Sequence, residues 1–120
     1  MDAKLKARWV AALRSGEYRQ GKNGLRSLEN EFCCLGVLID IMDGRETWTY
    51  SEVVDGYMTE SDEETALCGP RLRDVGLGTA EQQTLINMND GSYCADGVGG
   101  DYTDNPQTFD QIADWIEENL

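Results

Sequence analysis

The stretch Phe32–Met42, which reads FCCLGVLIDIM, is apolar almost throughout and decides the fold of this chain. Such a run fits either a buried strand or a buried helix, because its periodicity does not separate the two. Its length and the stop at Asp43-Gly44 favour a helix. Four of its apolar side chains share one helical face: Leu35, Leu38, Ile39 and Met42. We therefore predict a central buried helix.

Outward from this run, one helix, one strand and one hairpin are predicted. The segment from Asp2 to Ser15 has the apolar spacing of an amphipathic helix, with Gly16 as its stop. We expect a short strand at Tyr18–Gln20. Aromatic and β-branched residues surround Asp55-Gly56 in the segment from Trp48 to Thr59, which predicts a β-hairpin.

Three further helices are predicted in the rest of the chain. Gly69-Pro70 places proline in the first turn of a short helix that ends by Gly76. Two capping boxes open the others: Thr79 with Gln82, and Thr108 with Gln111. The first of these helices runs through about Met88, and a glycine-rich loop, Asn89–Gln107, precedes the second. The pattern predicts one small α+β domain over residues 1–120, with about four helices and a short β-hairpin.

Charge is sorted by position along the chain. Residues 1–26 hold seven of the ten basic side chains and two of the 23 acidic ones, a net charge of +5, whereas residues 27–120 sum to −18. The total of −13 repels the phosphates of nucleic acids and anionic membranes, so we expect direct binding to neither. Such a charge suits a protein that occupies a basic surface on a partner.

The compartment follows from the apolar runs and the cysteines. The longest apolar run is too short to span a bilayer, and the N-terminus has no apolar signal region. We therefore expect a cytoplasmic protein. In a reducing cytosol its four cysteines stay free, and Cys33 and Cys34 are predicted to be buried thiols.

Several kinds of catalytic and metal site are disfavoured by the residue types. The chain has no histidine, which removes the nucleophile pairs of serine or cysteine with histidine. Adjacent Cys33 and Cys34 lack the gapped spacing of a zinc site. Four loop aspartates are calcium-ligand types without the spacing of an EF-hand: Asp90, Asp96, Asp101 and Asp104. We predict a solvated loop there, no cofactor and no metal, and a protein that works by binding.

Four segments together resemble a widespread group of small proteins encoded by tailed bacteriophages and prophages. They read RWVAALRSGEYRQGKNGLR, FCCLGVLIDIM, TAEQQTLINMNDG and TFDQIADWIEENL. Members of the group carry a similar W-x-x-A-L-R-S-G-x-Y-x-Q-G opening, an F-C-C-L-G-V-L core and an F-x-x-I-A-x-W-I-E ending. The resemblance covers about half the chain, and the long loop Asn89–Gln107 departs from the group's short link. It implies a phage accessory protein of the host bacterial cytoplasm, which acts on host defence or host machinery. It transfers no catalytic residue.

One constellation remains, a basic segment around the sequence QGKNG. Glycine lets backbone N–H groups approach a ligand closely and arginine fits phosphate, so the segment predicts an anion or nucleotide site with aromatic rings to stack a base. The predicted ligand-binding residues are Arg14, Tyr18, Arg19, Lys22, Arg26 and Trp9. In the alternative interpretation, the basic first helix and the acidic last helix pack side by side and form ion pairs.

Three functions stay open at this point. The first is a non-enzymatic counter-defence protein, expected as a homo-oligomer, that sequesters a small phosphorylated signal of the cyclic nucleotide type. The second is an acidic inhibitor that mimics nucleic acid and binds a host protein with a basic surface. The third is an enzyme that uses carboxylates or a metal. The first needs the basic segment exposed, and the second allows it to be buried against the acidic helix.

Overall fold

In the computed structural model, which describes residues 1–22, 24–53, 56–60, 62–91 and 107–120, the central apolar run forms a helix and not a strand. The prediction of a central buried helix is thus confirmed. Helix α2 spans Cys34–Asp43, and its first seven residues are all buried.

Two side-chain and backbone features set the ends of α2. Cys33 caps the start, because its thiol accepts a hydrogen bond from the Gly36 N–H. Gly44 ends the helix with a φ of 97°, a conformation that favours glycine.

Helices α1 (Ala3–Arg14) and α5 (Phe109–Asn119) lie side by side, and α1 also packs against α2. The Asp2 carboxylate caps α1 by accepting a hydrogen bond from the Leu5 N–H at 2.9 Å. The capping box predicted at the start of α5 is confirmed, since the Thr108 hydroxyl and the Gln111 side chain each bond the other's backbone N–H.

Two short strand pairs flank this helical core. Strands β1 (Arg19–Gln20) and β2 (Glu31–Phe32) pair in parallel. Strands β3 (Thr49–Ser51) and β4 (Gly56–Met58) pair antiparallel, which confirms the predicted hairpin. An isolated bridge between Ser27 and Gly56 connects the two pairs.

The remaining helices are α3 (Gly69–Val75), which ends at Gly76 as predicted, and α4 (Thr79–Asp90). The capping box predicted from Thr79 and Gln82 is wrong by one residue. Gly78 is the N-cap, and the Glu81 carboxylate accepts a hydrogen bond from its N–H at 2.8 Å. Gln82 is buried instead. Its side chain accepts a hydrogen bond from the Leu67 N–H at 2.8 Å and donates one to the Leu67 carbonyl at 3.3 Å.

The architecture is α+β, with five α-helices among the described residues and one short 3-10 helix, Arg45–Thr47. The buried apolar side chains form one cluster, to which α1, α2, α4 and α5 all contribute. In the described ranges, no helix combines the length and apolar composition that crossing a bilayer requires. Most of the predicted glycine-rich loop lies outside these ranges, as do Asp96, Asp101, Asp104, Asp55 and Cys94.

Candidate functional site

The predicted ligand-binding residues do not form one exposed site. Trp9 is fully buried, and its indole N–H donates to the Cys34 carbonyl at 2.9 Å. The indole therefore belongs to the core, and the prediction that Trp9 stacks on a ligand is wrong. The signal was present in the sequence, because Trp9 lies on the apolar face of α1.

Arg14 takes part in the ion pairs of the alternative interpretation. Its guanidinium donates to Asp114 and Glu117 on α5, and these contacts raise the pKa of Arg14, chiefly through the hydrogen bond to Glu117. Lys6 also reaches α5, where its ammonium donates to the Glu117 carbonyl at 3.2 Å. The basic first helix and the acidic last helix thus pack side by side with complementary charges.

Arg19 and Lys22 lie on the surface. Arg19 forms an exposed ion pair with Glu31 across β1 and β2, with 3.2 Å between the charged groups. Lys22 is exposed. Neither is held in a fixed cleft, so neither defines a binding geometry.

Tyr18 and Arg26 are the two predicted residues that the structure brings together, through the ring of Phe32. The Tyr18 ring meets Phe32 edge to face at 5.1 Å between centroids. The Arg26 guanidinium lies 5.5 Å from the centre of the same ring. The Arg45 guanidinium also lies near this ring, 5.1 Å from its centre. Sequence reasoning missed Arg45.

Asp40 is the centre of this cluster and was also missed. It is 7% exposed and accepts four hydrogen bonds: two from Arg45 at 2.9 and 3.1 Å, one from the Tyr18 hydroxyl at 2.7 Å and one from the Trp48 indole at 3.0 Å. Burial opposes the charged carboxylate, but these bonds outweigh it and lower the pKa of Asp40. A lone acid inside the apolar run Phe32–Met42 was the available signal, because a buried charge requires partners.

The same contacts affect the partners of Asp40. Burial raises the pKa of Tyr18 to about 12, and the adjacent Asp40 carboxylate contributes. The hydrogen bonds to Asp40 raise the pKa of Arg45. Tyr18 is therefore a neutral hydrogen-bond donor at physiological pH, and its hydroxyl is already used inside the protein.

Arg26 occupies an aromatic cage. Its guanidinium lies 3.9 Å from the ring centre of Tyr57 and 5.8 Å from that of Trp48. Its Nε and Nη2 both donate to the Asn30 amide oxygen, at 2.9 and 2.6 Å. No carboxylate in the described part of the chain forms an ion pair with Arg26. Burial lowers its pKa most, and the positive charge of Arg45 lowers it further, whereas the interactions with Tyr57 and Asp40 raise it in part.

Two guanidiniums therefore lie near one carboxylate in this cluster, and Asp40 forms an ion pair with Arg45 alone. Arg45 binds Asp40 through Nε and Nη2, and its Nη1 takes no part in this pair. Arg26 likewise uses Nε and Nη2, and its Nη1 makes no hydrogen bond to any residue that the structure describes. We call Arg26 and Arg45 the arginine pair. Its excess positive charge, in a protein of net charge −13, suits an anion.

A second polar cluster serves the fold. Arg71 forms a two-point ion pair with Asp43 at 2.8 and 2.9 Å and contacts the buried Glu63 at 3.1 Å. Burial disfavours charge on Glu63, but bonds from the Cys68 N–H, Thr59 and Arg71 outweigh it and lower the pKa of Glu63. All three charges are satisfied within the cluster, which joins α2, α3 and the loop between β4 and α3.

A cavity of about 390 Å³ at the start of α2 does not suit a phosphate. It is lined by Cys33, Cys34, Asn89 and Asp90, among others, and no basic side chain of the described residues lines it. Asn89, fully buried, accepts a hydrogen bond from the Cys34 N–H at 3.2 Å and donates to the Gly21 carbonyl at 2.8 Å. Across the described ranges, no three cysteine or acidic side chains come together to hold a metal ion.

Comparison with known proteins gives a family for this fold and site. A family model described as a domain of unknown function (DUF8296) matches residues 1–120, so the chain belongs to this family. No curated protein and no solved structure matches the chain.

Proposed function

We propose that the protein is a non-enzymatic binding protein that captures a small phosphorylated ligand at the arginine pair. One observation carries this proposal: two arginines lie near the Phe32 ring, and the carboxylate between them, Asp40, forms an ion pair with Arg45 alone. Arg26 is 9% exposed and has no ion-pair partner among the described residues, and a buried cation of this kind is costly unless an anion completes its site.

Phosphate is the anion that fits this arrangement best. A guanidinium offers a flat set of donors that matches two oxygens of one phosphate, and charge-assisted bonds of this kind are the stronger ones. The Arg45 side chain is 51% exposed, so a ligand reaches it from solvent, whereas Arg26 is 9% exposed. The Asp40 carboxylate fixes Arg45 beforehand, which reduces the entropy that binding costs.

The biological role in this proposal is counter-defence. The resemblance to small phage proteins motivates it, because a phage benefits from removing a phosphorylated signal that activates a host defence. A protein that only sequesters its ligand needs no catalytic group, and the absence of histidine in the sequence agrees with such a role.

The test is binding to a panel of linear and cyclic nucleotides and sugar phosphates, measured by native mass spectrometry and calorimetry. We expect at least one compound of the panel to bind at micromolar concentration. Arg45→Gln and Arg26→Gln should each lose this binding. The matched control is Arg73→Gln, because Arg73 is an exposed arginine on α3. Failure of the whole panel to bind, or equal loss in the control, would contradict the proposal.

A second candidate is an acidic inhibitor of a host protein. The pairing of Arg14 with Asp114 and Glu117 supports it, because this basic side chain of α1 binds acids of the same protein and not a ligand. Other acids on the outer face of α5, such as Asp110 and Glu118, remain exposed. A pull-down from host lysate should then capture a basic protein at low salt and lose it at high salt. Asp110→Lys with Glu118→Lys should abolish the capture, and a salt-independent interaction would argue against this candidate.

A further inference from the structure

We propose that the arginine pair recognises a nucleotide in particular, and that Tyr50 provides the surface on which its base stacks. This inference rests on the proposed function. It adds that the ligand carries a nucleobase and names the residue that binds the base. The rings predicted for stacking do not supply it, because Trp9 is buried and Tyr18 is bound to Asp40 and Phe32.

Tyr50 has the exposure that stacking requires. It lies on β3 and is 51% exposed, one of three large hydrophobic residues in the described chain with such exposure. The other two, Leu28 and Val53, have no ring. A nucleobase can lie flat on one face of an exposed tyrosine ring without displacing any core side chain.

Tyr57 connects this ring to the arginine pair. Tyr50 faces Tyr57 directly across β3 and β4, and their rings meet at 6.3 Å with a 74° interplanar angle. The Tyr57 ring lies 3.9 Å from the Arg26 guanidinium. The sum of these two distances is the upper limit for the separation of Tyr50 from Arg26, and a mononucleotide spans a separation of that order.

The backbone holds the hairpin and the arginine in a fixed relation. The Tyr57 N–H donates to the Arg26 carbonyl at 3.1 Å, and Ser27 forms an antiparallel bridge with Gly56. Movement of the hairpin away from Arg26 would break both contacts. The two halves of the site are therefore arranged before a ligand binds, as tight recognition requires.

Two rings link the arginine pair to the hairpin. Arg45 and Arg26 both lie near the Phe32 ring, and Arg26 also lies on the Tyr57 ring. Only the outermost ring, Tyr50, has no guanidinium among its described contacts. The phosphate would bind the arginine pair, and the base would stack on the exposed ring of Tyr50.

The experiment compares three probes by calorimetry: adenosine monophosphate, ribose 5-phosphate and inorganic phosphate. We expect adenosine monophosphate to bind at least about fivefold more tightly than ribose 5-phosphate, the least that base stacking is worth. Tyr50→Leu should remove this difference and leave ribose 5-phosphate binding unchanged, whereas Tyr50→Trp should keep it. Val53→Ala, at a neighbouring exposed site, should behave as the wild type.

The outcomes separate this inference from the proposed function. If adenosine monophosphate and ribose 5-phosphate bind equally, or if Tyr50→Leu keeps the difference, Tyr50 stacking is overturned and phosphate capture stands. If none of the three probes binds and the wider nucleotide panel also fails, both are overturned. If Tyr50→Leu weakens all three probes equally, the residue acts on the fold of the hairpin, and the stacking role is overturned.

Discussion

Gly36 lies so close to the carbonyl of Leu25 that a Cβ atom at residue 36 would be 1.9 Å from its oxygen. The oxygen cannot move away cheaply, because it accepts a hydrogen bond from the Cys33 N–H at 3.2 Å. The segment before β2 therefore crosses the first turn of α2 at a distance that only glycine permits.

Gly36→Ala should destabilise the protein by about 3 kcal/mol or more, because backbone and not a flexible side chain occupies the space. The free energy of unfolding in urea measures the effect. Gly69→Ala is the matched control, since a Cβ atom there meets nothing within 4 Å, and its effect should stay within about 0.5 kcal/mol. Equal stability of the two variants would show that the crossing is looser than described.

Asp40→Asn should destabilise the protein by about 2 kcal/mol at neutral pH, because it removes the charge that Arg45, Tyr18 and Trp48 bind. Trp48 fluorescence should change as well, since its indole N–H donates to Asp40. Glu46→Gln, at an exposed acid beside Arg45, serves as the control and should change stability by less than about 0.5 kcal/mol. A fully stable Asp40→Asn protein would mean that Asp40 is not the centre of the cluster.

The dependence of stability on pH should come from the same carboxylate and from Glu63. Both have folded pKa values below their ordinary values of 3.8 and 4.5. A lowered pKa contributes stability that is fully present above the ordinary value and is lost as pH falls through the folded pKa. Urea midpoints should thus be nearly constant from pH 7 to about pH 5 and fall below about pH 4. The decrease of the urea midpoint with falling pH should be smaller in Asp40→Asn than in the wild type. If the two proteins show parallel curves, groups other than Asp40 cause the sensitivity to acid.

The thiols of Cys33 and Cys34 should resist alkylation in the folded protein. Burial raises the pKa of Cys33 to about 12 and that of Cys34 well above its ordinary value, so neither forms much thiolate at pH 8. Of these three described cysteines, half-buried Cys68 should react first with iodoacetamide, as peptide mass mapping would show. Urea should remove the difference between the three thiols. If all three are already labelled at one rate in the folded protein, the burial of Cys33 and Cys34 is contradicted.

Sequence patterns predicted the helices well because the signals are local. The apolar run and its glycine stop determine α2, and Thr108 with Gln111 determine the start of α5. The capping box predicted at Thr79 was wrong because the helix begins one residue earlier, where the Gly78 N–H donates to the Glu81 carboxylate. A glycine N-cap has no side chain, so the pattern around Thr79 looked stronger than the one that forms.

The site was predicted less well because it depends on contacts between distant segments. Attention to the basic first quarter of the chain found Tyr18 and Arg26 and missed Arg45, which belongs to the acidic body. Arg14 was assigned to a ligand although acids on α5 bind it; the charges of the two helices indicated that pairing as an alternative but could not decide between it and a ligand. The position of Tyr50 opposite Tyr57 required the register of the hairpin.

The pairing of α1 with α5 also sets the order of events during synthesis. Glu117 follows Arg14 by 103 residues, so a ribosome delivers the acidic helix roughly 5 to 20 seconds after the basic one. During that interval the nascent chain can dock α1 on α2, but the side of α1 that α5 covers stays open to water and to chaperones. A message truncated before α5 would release a chain in that half-closed form, without the core residues Phe109, Ile112, Ala113 and Ile116.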